Sequence, residues 1–336
     1  MKHRLTKDRR AVGLGGAQSF EHAVVRERAR HGERDRACPI ALIVLDDLVE
    51  EKQAGDIIVE LAARELAPPA IIFNGDFNWF NADAAGFAAI NARVLAHRAL
   101  RGNVETELAG DDASAGCGCG YPDFVSDAEV DRSNRIMERL RGTARAQPAI
   151  RRELAALPMH MTAAVGAARI AIVHGDCESL AGWGLSREAL ATPSQRARVA
   201  AWFSQARVDV IASSHSCLPL LMDFALRDGT GVVANNGAAG MPNFRDTRFG
   251  VITRIALTPS PHAALYGTRV NSTHIDALPV QYDHAHWLAG FLANWPAGSP
   301  AHVSYFRRVT QGPDYGIDEA CRLTAGSAHA RRPIAA

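Results

Sequence analysis

Ala168-Arg169-Ile170-Ala171-Ile172-Val173-His174-Gly175-Asp176 is the stretch on which the fold turns. A short apolar run of strand length ends, with no spacer, in an imidazole, a glycine and a carboxylate. The same arrangement occurs twice more. Ala70-Ile71-Ile72-Phe73 runs into Asn74-Gly75-Asp76, and the run ending Val210-Ile211-Ala212 leads into Ser213-Ser214-His215-Ser216-Cys217. Further buried strands are predicted over Ile40 to Leu45, Gly231 to Ala234 and Gly250 to Leu257, with the run before Ser213 beginning at Val208. Amphipathic spacing predicts helices over Val49 to Leu66, Ala84 to Arg98, Asp127 to Arg141 and Pro193 to Ala206. Strands alternating with helices specify an α/β architecture, and ligands of such folds bind at the rim formed by the carboxyl ends of the strands. Residues far apart in sequence therefore converge there.

Around this centre the chain divides into three parts. Residues 1–36 hold ten Lys or Arg against five acidic residues and show no sustained period, which reads as a loosely ordered basic lead-in. Their Val12-Gly13-Leu14-Gly15-Gly16 follows no strand and opens no helix, so it lacks the context of a nucleotide loop. Residues 37–270 form the α/β domain. After about residue 270 the strands are expected to stop, and residues 271–336 read as a C-terminal helical extension and tail. Its aromatic segments, Tyr282 to Trp295 and Ala301 to Val309, must pack on the domain, because Trp287, Phe291 and Trp295 would be insoluble if exposed.

Composition limits the partners. The 37 Lys and Arg balance 36 Asp and Glu, so no global basic field collects nucleic acid or an anionic membrane. No apolar run approaches the ~20 residues of a membrane span. Six cysteines in 336 residues are too dilute for a disulfide scaffold, and a reducing, cytoplasmic setting is expected.

The strand-end residues carry the chemistry. Asp76, His174 and His215, with Asn103 from the polar loop Arg101-Gly102-Asn103-Val104-Glu105, give a carboxylate, an amide oxygen and two imidazoles. That set suits manganese, zinc or iron better than calcium, which prefers oxygen ligands alone. Each motif by itself is ordinary turn chemistry, and Asp176 also reads as a helix N-cap. Their joint occurrence in fixed order at one rim is what points to a site. Gly116-Cys117-Gly118-Cys119-Gly120 reads as a tight glycine turn near its mouth rather than as a zinc site or redox pair. Trp79 and Phe80 read either as pocket wall or as core. Cys177 follows the His-Gly-Asp motif and reads either as a thiol behind the ligating residues or as a small buried cysteine.

The order Gly75-Asp76, Gly102-Asn103, His174-Gly175-Asp176, Ser214-His215-Ser216-Cys217 resembles the calcineurin-like metallophosphoesterases. Their signature is Asp-x-His, Gly-Asp, Gly-Asn-His, a His-Gly or Gly-His segment, and Gly-His-x-His. The likeness spans about residues 40–257. It implies a four-layer α/β/β/α sandwich with two metals at the strand ends, bridged by an aspartate and a hydroxide. By motif, Asp76 resembles the bridging carboxylate, and Asn103, His174 and His215 resemble the other ligands of the second metal. These four are the implied catalytic residues. The Asn235-Asn236-Gly237 turn is similar to the family's Asn-Pro-Gly turn and places Asn236 as a substrate-binding candidate, with a plain turn as the alternative.

Three departures qualify the likeness. Asp46 stands where the opening aspartate belongs, but Leu48 replaces the following histidine; Cys217 replaces the final histidine, and a thiolate binds zinc or iron. The first metal position then holds Asp46, Asp76 and Cys217, one protein ligand short, so one or two ions are expected. Val104 replaces the histidine that protonates the leaving group, which favours a good leaving group; Glu105 and Asp176 are the alternative acids. The expectation is a metal-dependent phosphoesterase that hydrolyses a phosphodiester or small activated phosphate ester, a small-molecule substrate, by attack of a metal-bound hydroxide. The alternatives are a phosphomonoesterase for a nucleotide or sugar phosphate, and a catalytically degenerate protein that binds metal or phosphate.

Overall fold

The computed structural model describes residues 42–45, 52–112 and 115–324, of which 42–45 and 52–53 by backbone alone. In chain order the elements are β1 (Leu42–Leu45), α1 (Lys52–Ala63), β2 (Ala70–Asn74), α2 (Ala84–Val94), β3 (Arg98–Leu100), α3 (Asn103–Ala109), α4 (Asp127–Arg145), α5 (Pro148–Ala156), β4 (His160–Val165), β5 (Ala168–Val173), α6 (Pro193–Ala206), β6 (Val210–Ser213), β7 (Leu220–Leu226), β8 (Gly229–Asn235), β9 (Gly250–Ala256), β10 (Tyr266–Val270), β11 (Thr273–Val280), α7 (His284–Asn294), α8 (Pro300–Gln311), α9 (Ile317–Ala320) and β12 (Cys321–Arg322).

Two six-stranded sheets result, ordered β10-β11-β9-β1-β2-β3 and β12-β7-β8-β6-β5-β4. In the first, β1, β2 and β3 run parallel, and β9 closes antiparallel against β1. In the second, β5, β6 and β8 run parallel, flanked by antiparallel β4 and β7. Alternation along each strand divides the apolar side chains between two faces. Ile72, Ile170, Ile172, Val210 and Ala212 point into one core between the sheets. Ile71 and Phe73 face helices on the outside of the first sheet, and Val173 and Ile211 face α6 on the outside of the second. The layers are therefore α/β/β/α.

Local chemistry explains the element ends. Thr192 caps α6 by accepting from the Gln195 amide, Pro193 occupies its first turn, and Arg207 ends it in the left-handed region. Ser126 and Glu129 close a reciprocal capping box at the start of α4.

The strands do not stop near residue 270. β11 pairs with β9 through Val280 and β12 with β7, so the segment after residue 270 contributes to both sheets before and after its helices. The helix predicted to reach Arg98 ends at Val94, because Arg98–Leu100 pairs with β2. Asn103 opens a helix rather than sitting in a loop. α7 and α8 pack as expected: Trp287, Phe291 and Trp295 are buried in the core outside the first sheet, and Tyr305 meets Phe80 edge-on at 4.9 Å. No helix among the described residues is long and apolar enough to cross a membrane. The basic lead-in, Asp46, Leu48 and the extreme tail lie outside the described residues.

Candidate metal centre

The carboxyl ends of β2, β5 and β6 lie side by side across the two sheets. Asn74, the last residue of β2, ties them together. Its amide donates to the Val173 carbonyl at 2.8 Å and to Ser214 Oγ at 3.0 Å, while its own carbonyl lies 2.8 Å from His174 Nδ1. Asn74 is fully buried, and its motif drew attention for Asp76 alone. Its signal in the sequence was position: an amide at the last place of a strand is where a neighbouring strand end must be bridged.

Glycines bring the loops close. Gly75 has φ of 94°, and a Cβ there would lie 2.5 Å from the Gly102 nitrogen. A Cβ on Gly102 would lie 2.0 Å from Asp76 Oδ1. Only glycine at both positions lets the Asp76 turn and the start of α3 approach each other. Asp76 itself sits at φ 52°, uncommon for a residue with a side chain and found where surrounding structure enforces it. The enforcement is visible. Glu105 accepts from the Asp76 amide at 2.7 Å, the Gly102 amide at 3.0 Å and the Asn78 side chain at 3.2 Å, and the Val104 amide donates to Asp76 Oδ1 at 2.9 Å.

Asp76, His174 and His215 bring ligand atoms within 4.8 Å of one another, all buried. His174 Nε2 lies 3.1 Å from Asp76 Oδ2, 3.1 Å from Asn103 Oδ1 and 3.0 Å from His215 Nδ1. The protons are committed elsewhere. A carbonyl accepts only, so His174 donates through Nδ1 to Asn74 and His215 donates through Nε2 to the Cys119 carbonyl at 3.0 Å. The Asn103 amide nitrogen donates to the Cys117 carbonyl at 3.1 Å, which turns its oxygen inward. With both rings neutral, two nitrogen lone pairs, an amide oxygen and a carboxylate oxygen face one point. A proton on His174 Nε2 serves one of its three neighbours; a cation serves all. Outer-ring nitrogens held by carbonyls are the arrangement that orients metal-ligating histidines. The donor set fits a borderline divalent ion.

The electrostatics agree. Burial pushes the His215 imidazole down to about 4, with His174 adding to the effect, so the ring is held neutral. Burial would raise Asp76, but the charge of His174 or His215 when protonated, with the hydrogen bonds from His174 and the Val104 amide, outweighs it and holds the carboxyl below its ordinary value. Burial, with the charge of Asp76 beside it, raises Glu105 to about 7.

The other predicted residues lie as follows. Cys217 lines the cavity above the group, at φ 53°, but its thiol does not belong to the converging set. Asn236 turns away: its amide donates to the Gly237 and Val251 carbonyls, and it does not line this cavity. Asp176 accepts from the Glu178, Ser179 and Gly184 amides and organises its own loop, and Glu105 is spent on the Asp76 turn. Neither lines the cavity as an acid. Val104 is 1% exposed and part of the core, so its side chain offers nothing to a leaving group. Trp79 lines the cavity, whereas Phe80 is core.

Cys117 and Cys119 form a disulfide. Gly118 and Gly120 both have positive φ, as a tight glycine turn requires, and this short loop presents the two carbonyls that hold Asn103 and His215. Free thiols were expected here; a disulfide persists in oxidising compartments and is transient or redox-active in reducing ones. Sequence reasoning also missed Tyr121, Trp183, Tyr305 and Arg308, which line the cavity.

No family model and no curated protein matches the chain. Among solved structures, a hypothetical protein from Pyrococcus horikoshii OT3 superposes with a TM-score of 0.53 at 14% identity, covering 82% of this chain and 99% of its own. A metallophosphoesterase from Sphaerobacter thermophilus aligns with a TM-score of 0.48 at 15% identity, covering 79% of this chain and 98% of its own.

Proposed function

We propose that this chain, whose fold is the metallophosphoesterase-type α/β/β/α sandwich, is a divalent-metal-dependent phosphoesterase acting on a phosphodiester or small activated phosphate ester. The observation that carries the reading is the convergence of a carboxylate, an amide oxygen and two imidazoles, from Asp76, Asn103, His174 and His215, around His174 Nε2 at one buried rim. These residues would hold manganese, zinc or iron. A bound ion supplies Lewis acidity toward phosphoryl oxygens and lowers the pKa of a water toward ~7.

The chain's own residues do the rest. Asn74 and the Cys119 carbonyl fix the ring tautomers, Glu105 and the Val104 amide hold Asp76 in its strained turn, and the cavity walls position the ester. Among the described residues Arg308 on α8 is the one arginine lining the cavity; it is anchored to the Cys217 carbonyl at 2.6 Å and supplies positive charge toward an anionic substrate. Because the chain's overall charge is balanced, attraction for phosphate is local to this rim.

Metal content of the purified protein, followed by hydrolysis of a diester and a monoester with added manganese, zinc or iron, tests the reading. Turnover above a His174→Ala control is expected with at least one metal. The buried Val104 favours one other reading, a metal- and phosphate-binding protein without turnover. Metal bound by the wild type and lost in His174→Ala, with neither ester hydrolysed, would establish that reading instead.

A further inference from the structure

The cavity above the donor group has an unusual wall for a phosphate site. Tyr121 and Trp183 stand on the His215 side, with ring centroids 5.9 Å apart and Trp183 edge-on to His215 at 5.2 Å. Trp79 and Tyr305 form a second pair on the Asp76 side, at 6.4 Å and nearly perpendicular. All four line the same cavity as Asp76 and His215. The polar tips of the first pair are engaged in the protein: the Trp183 indole donates to the Cys119 carbonyl at 3.0 Å, and the Tyr121 hydroxyl bonds Ser133 at 2.9 Å. What these rings offer the cavity is therefore apolar surface. A hydroxyl pressed against these ring faces would lose a hydrogen bond to water that the rings do not replace, whereas an apolar ring would not.

Size and acid chemistry narrow the occupant. The cavity volume is about 140 Å³. At roughly 10–15 Å³ for each water-sized position, that is room for on the order of ten non-hydrogen groups, so a phosphoryl group plus one six-membered ring fits. Val104 is core, and Glu105 and Asp176 are occupied by backbone amides, so neither expected acid stands ready to protonate a departing alkoxide. An alcohol whose anion is already stable, as in a phenol, leaves without that help.

We propose that the site takes phosphate esters of single-ring aromatic alcohols, with the ring against the aromatic lining of Tyr121, Trp183, Trp79 and Tyr305 and the phosphoryl group beside Asp76 and His215. The assignment rests on the phosphoesterase reading and adds its substrate class. In the hydrolysis, the water oxygen forms a new P–O bond as the P–O bond to the ring oxygen breaks; the water proton passes to solvent, and the aryl oxide departs with the bonding pair.

The test uses non-hydrolysable probes, so that ring recognition is read apart from turnover. Binding of phenylphosphonate and methylphosphonate to the full-length, metal-supplemented protein is measured by calorimetry. The phenyl compound should bind at least about tenfold tighter, from ring burial and aromatic contact. Trp183→Leu should reduce that preference to about threefold or less, Trp183→Phe should keep it, and Tyr305→Leu tests the opposite wall should Trp183→Leu fail to fold. Equal binding of the two probes by the wild type, or an unchanged preference in both leucine variants, overturns the aromatic site even if esters are hydrolysed. A tenfold preference in a protein that hydrolyses no ester overturns the phosphoesterase reading and leaves the ring site standing.

Discussion

Arg254 on β9 and His174 at the end of β5 are both fully buried among polar side chains, but the chemistry of their neighbours differs. Its guanidinium makes five contacts: Nε and Nη2 to the two Glu65 oxygens at 2.6 and 2.8 Å, Nη1 to Asp276 at 3.1 Å and the Thr258 carbonyl at 3.0 Å, and Nη2 to the Thr258 hydroxyl at 3.3 Å. Five donors meet five acceptor positions, and the cluster is complete within the chain. At His174 the neighbours are of another kind: a carboxylate, an amide oxygen and a second imidazole lie within 3.1 Å of one ring nitrogen, residue types that can ligate a divalent ion. One cluster is a buried ion pair and the other a candidate metal centre, and composition alone does not separate them.

Disabling the metal centre should give the largest effect. Asp76→Ala or His174→Ala should reduce bound divalent ion to background and hydrolysis by about a thousandfold or more, since outer-sphere changes alone cost 10–100-fold. Gly102→Ala tests the same point without touching a ligand, because its Cβ would collide with Asp76 Oδ1. Metal retained at wild-type stoichiometry in Gly102→Ala would show that the close approach of the two loops is not needed.

The opposite manipulation targets the architecture. Arg254→Met leaves Glu65 and Asp276 buried without a counter-charge and should cost about 3–5 kcal/mol in urea unfolding, with metal stoichiometry unchanged. Added metal supplies a complementary measurement. At a hundredfold excess over its dissociation constant, an ion that binds only the folded state stabilises it by about 2.7 kcal/mol. That increment should survive in Arg254→Met and vanish in His174→Ala; an increment common to both would place the ion elsewhere.

Val104 sharpens the comparison from the catalytic side. Its position corresponds by motif to a proton donor, but its side chain is core while its amide holds Asp76. Val104→His should therefore overpack the core, costing about 1–3 kcal/mol, and should not accelerate hydrolysis of alkyl esters. A gain on alkyl esters alone would show that the side chain reaches the substrate after all.

Much of this was readable from residue order. β5 and α6 have the boundaries their patterns predict, because one is a short apolar run broken only by Arg169 and the other begins at a Thr-Pro cap. Asp76, His174 and His215 were legible because each follows closely on a strand end, and Asn103 because it follows a glycine in the same order of motifs. Strands β3, β4, β7, β10, β11 and β12 were not predicted. Several carry weak signals, β4 being a half-buried edge strand, β3 three residues long and β11 interrupted by Asp276 and Pro279, but β7, Leu220–Leu226, is an apolar run broken only by Asp223. Tyr305 and Arg308 were illegible for a different reason. They lie three residues apart on one face of α8, but which face meets the site depends on how that helix packs against Phe80 and α4, information that is tertiary.

The smallest effect concerns the loop behind the donors. Cys117 and Cys119 act on Asn103 and His215 through their carbonyls, and the side chains only close the ring. Replacing both with serine keeps the carbonyls, the glycine turn and the Arg141 contacts to the Ala115 and Gly116 carbonyls that anchor the loop. The metal dissociation constant, measured by chelator competition, should therefore rise by less than about tenfold, below the range for loss of an outer-sphere partner itself. A rise of a hundredfold or more would mean that the disulfide, rather than the anchored backbone, sets the ring tautomer of His215 and the amide orientation of Asn103. The metal centre would then be complete only in the oxidised chain, and its contrast with the Arg254 cluster, which needs nothing but its own protons, would be wider still.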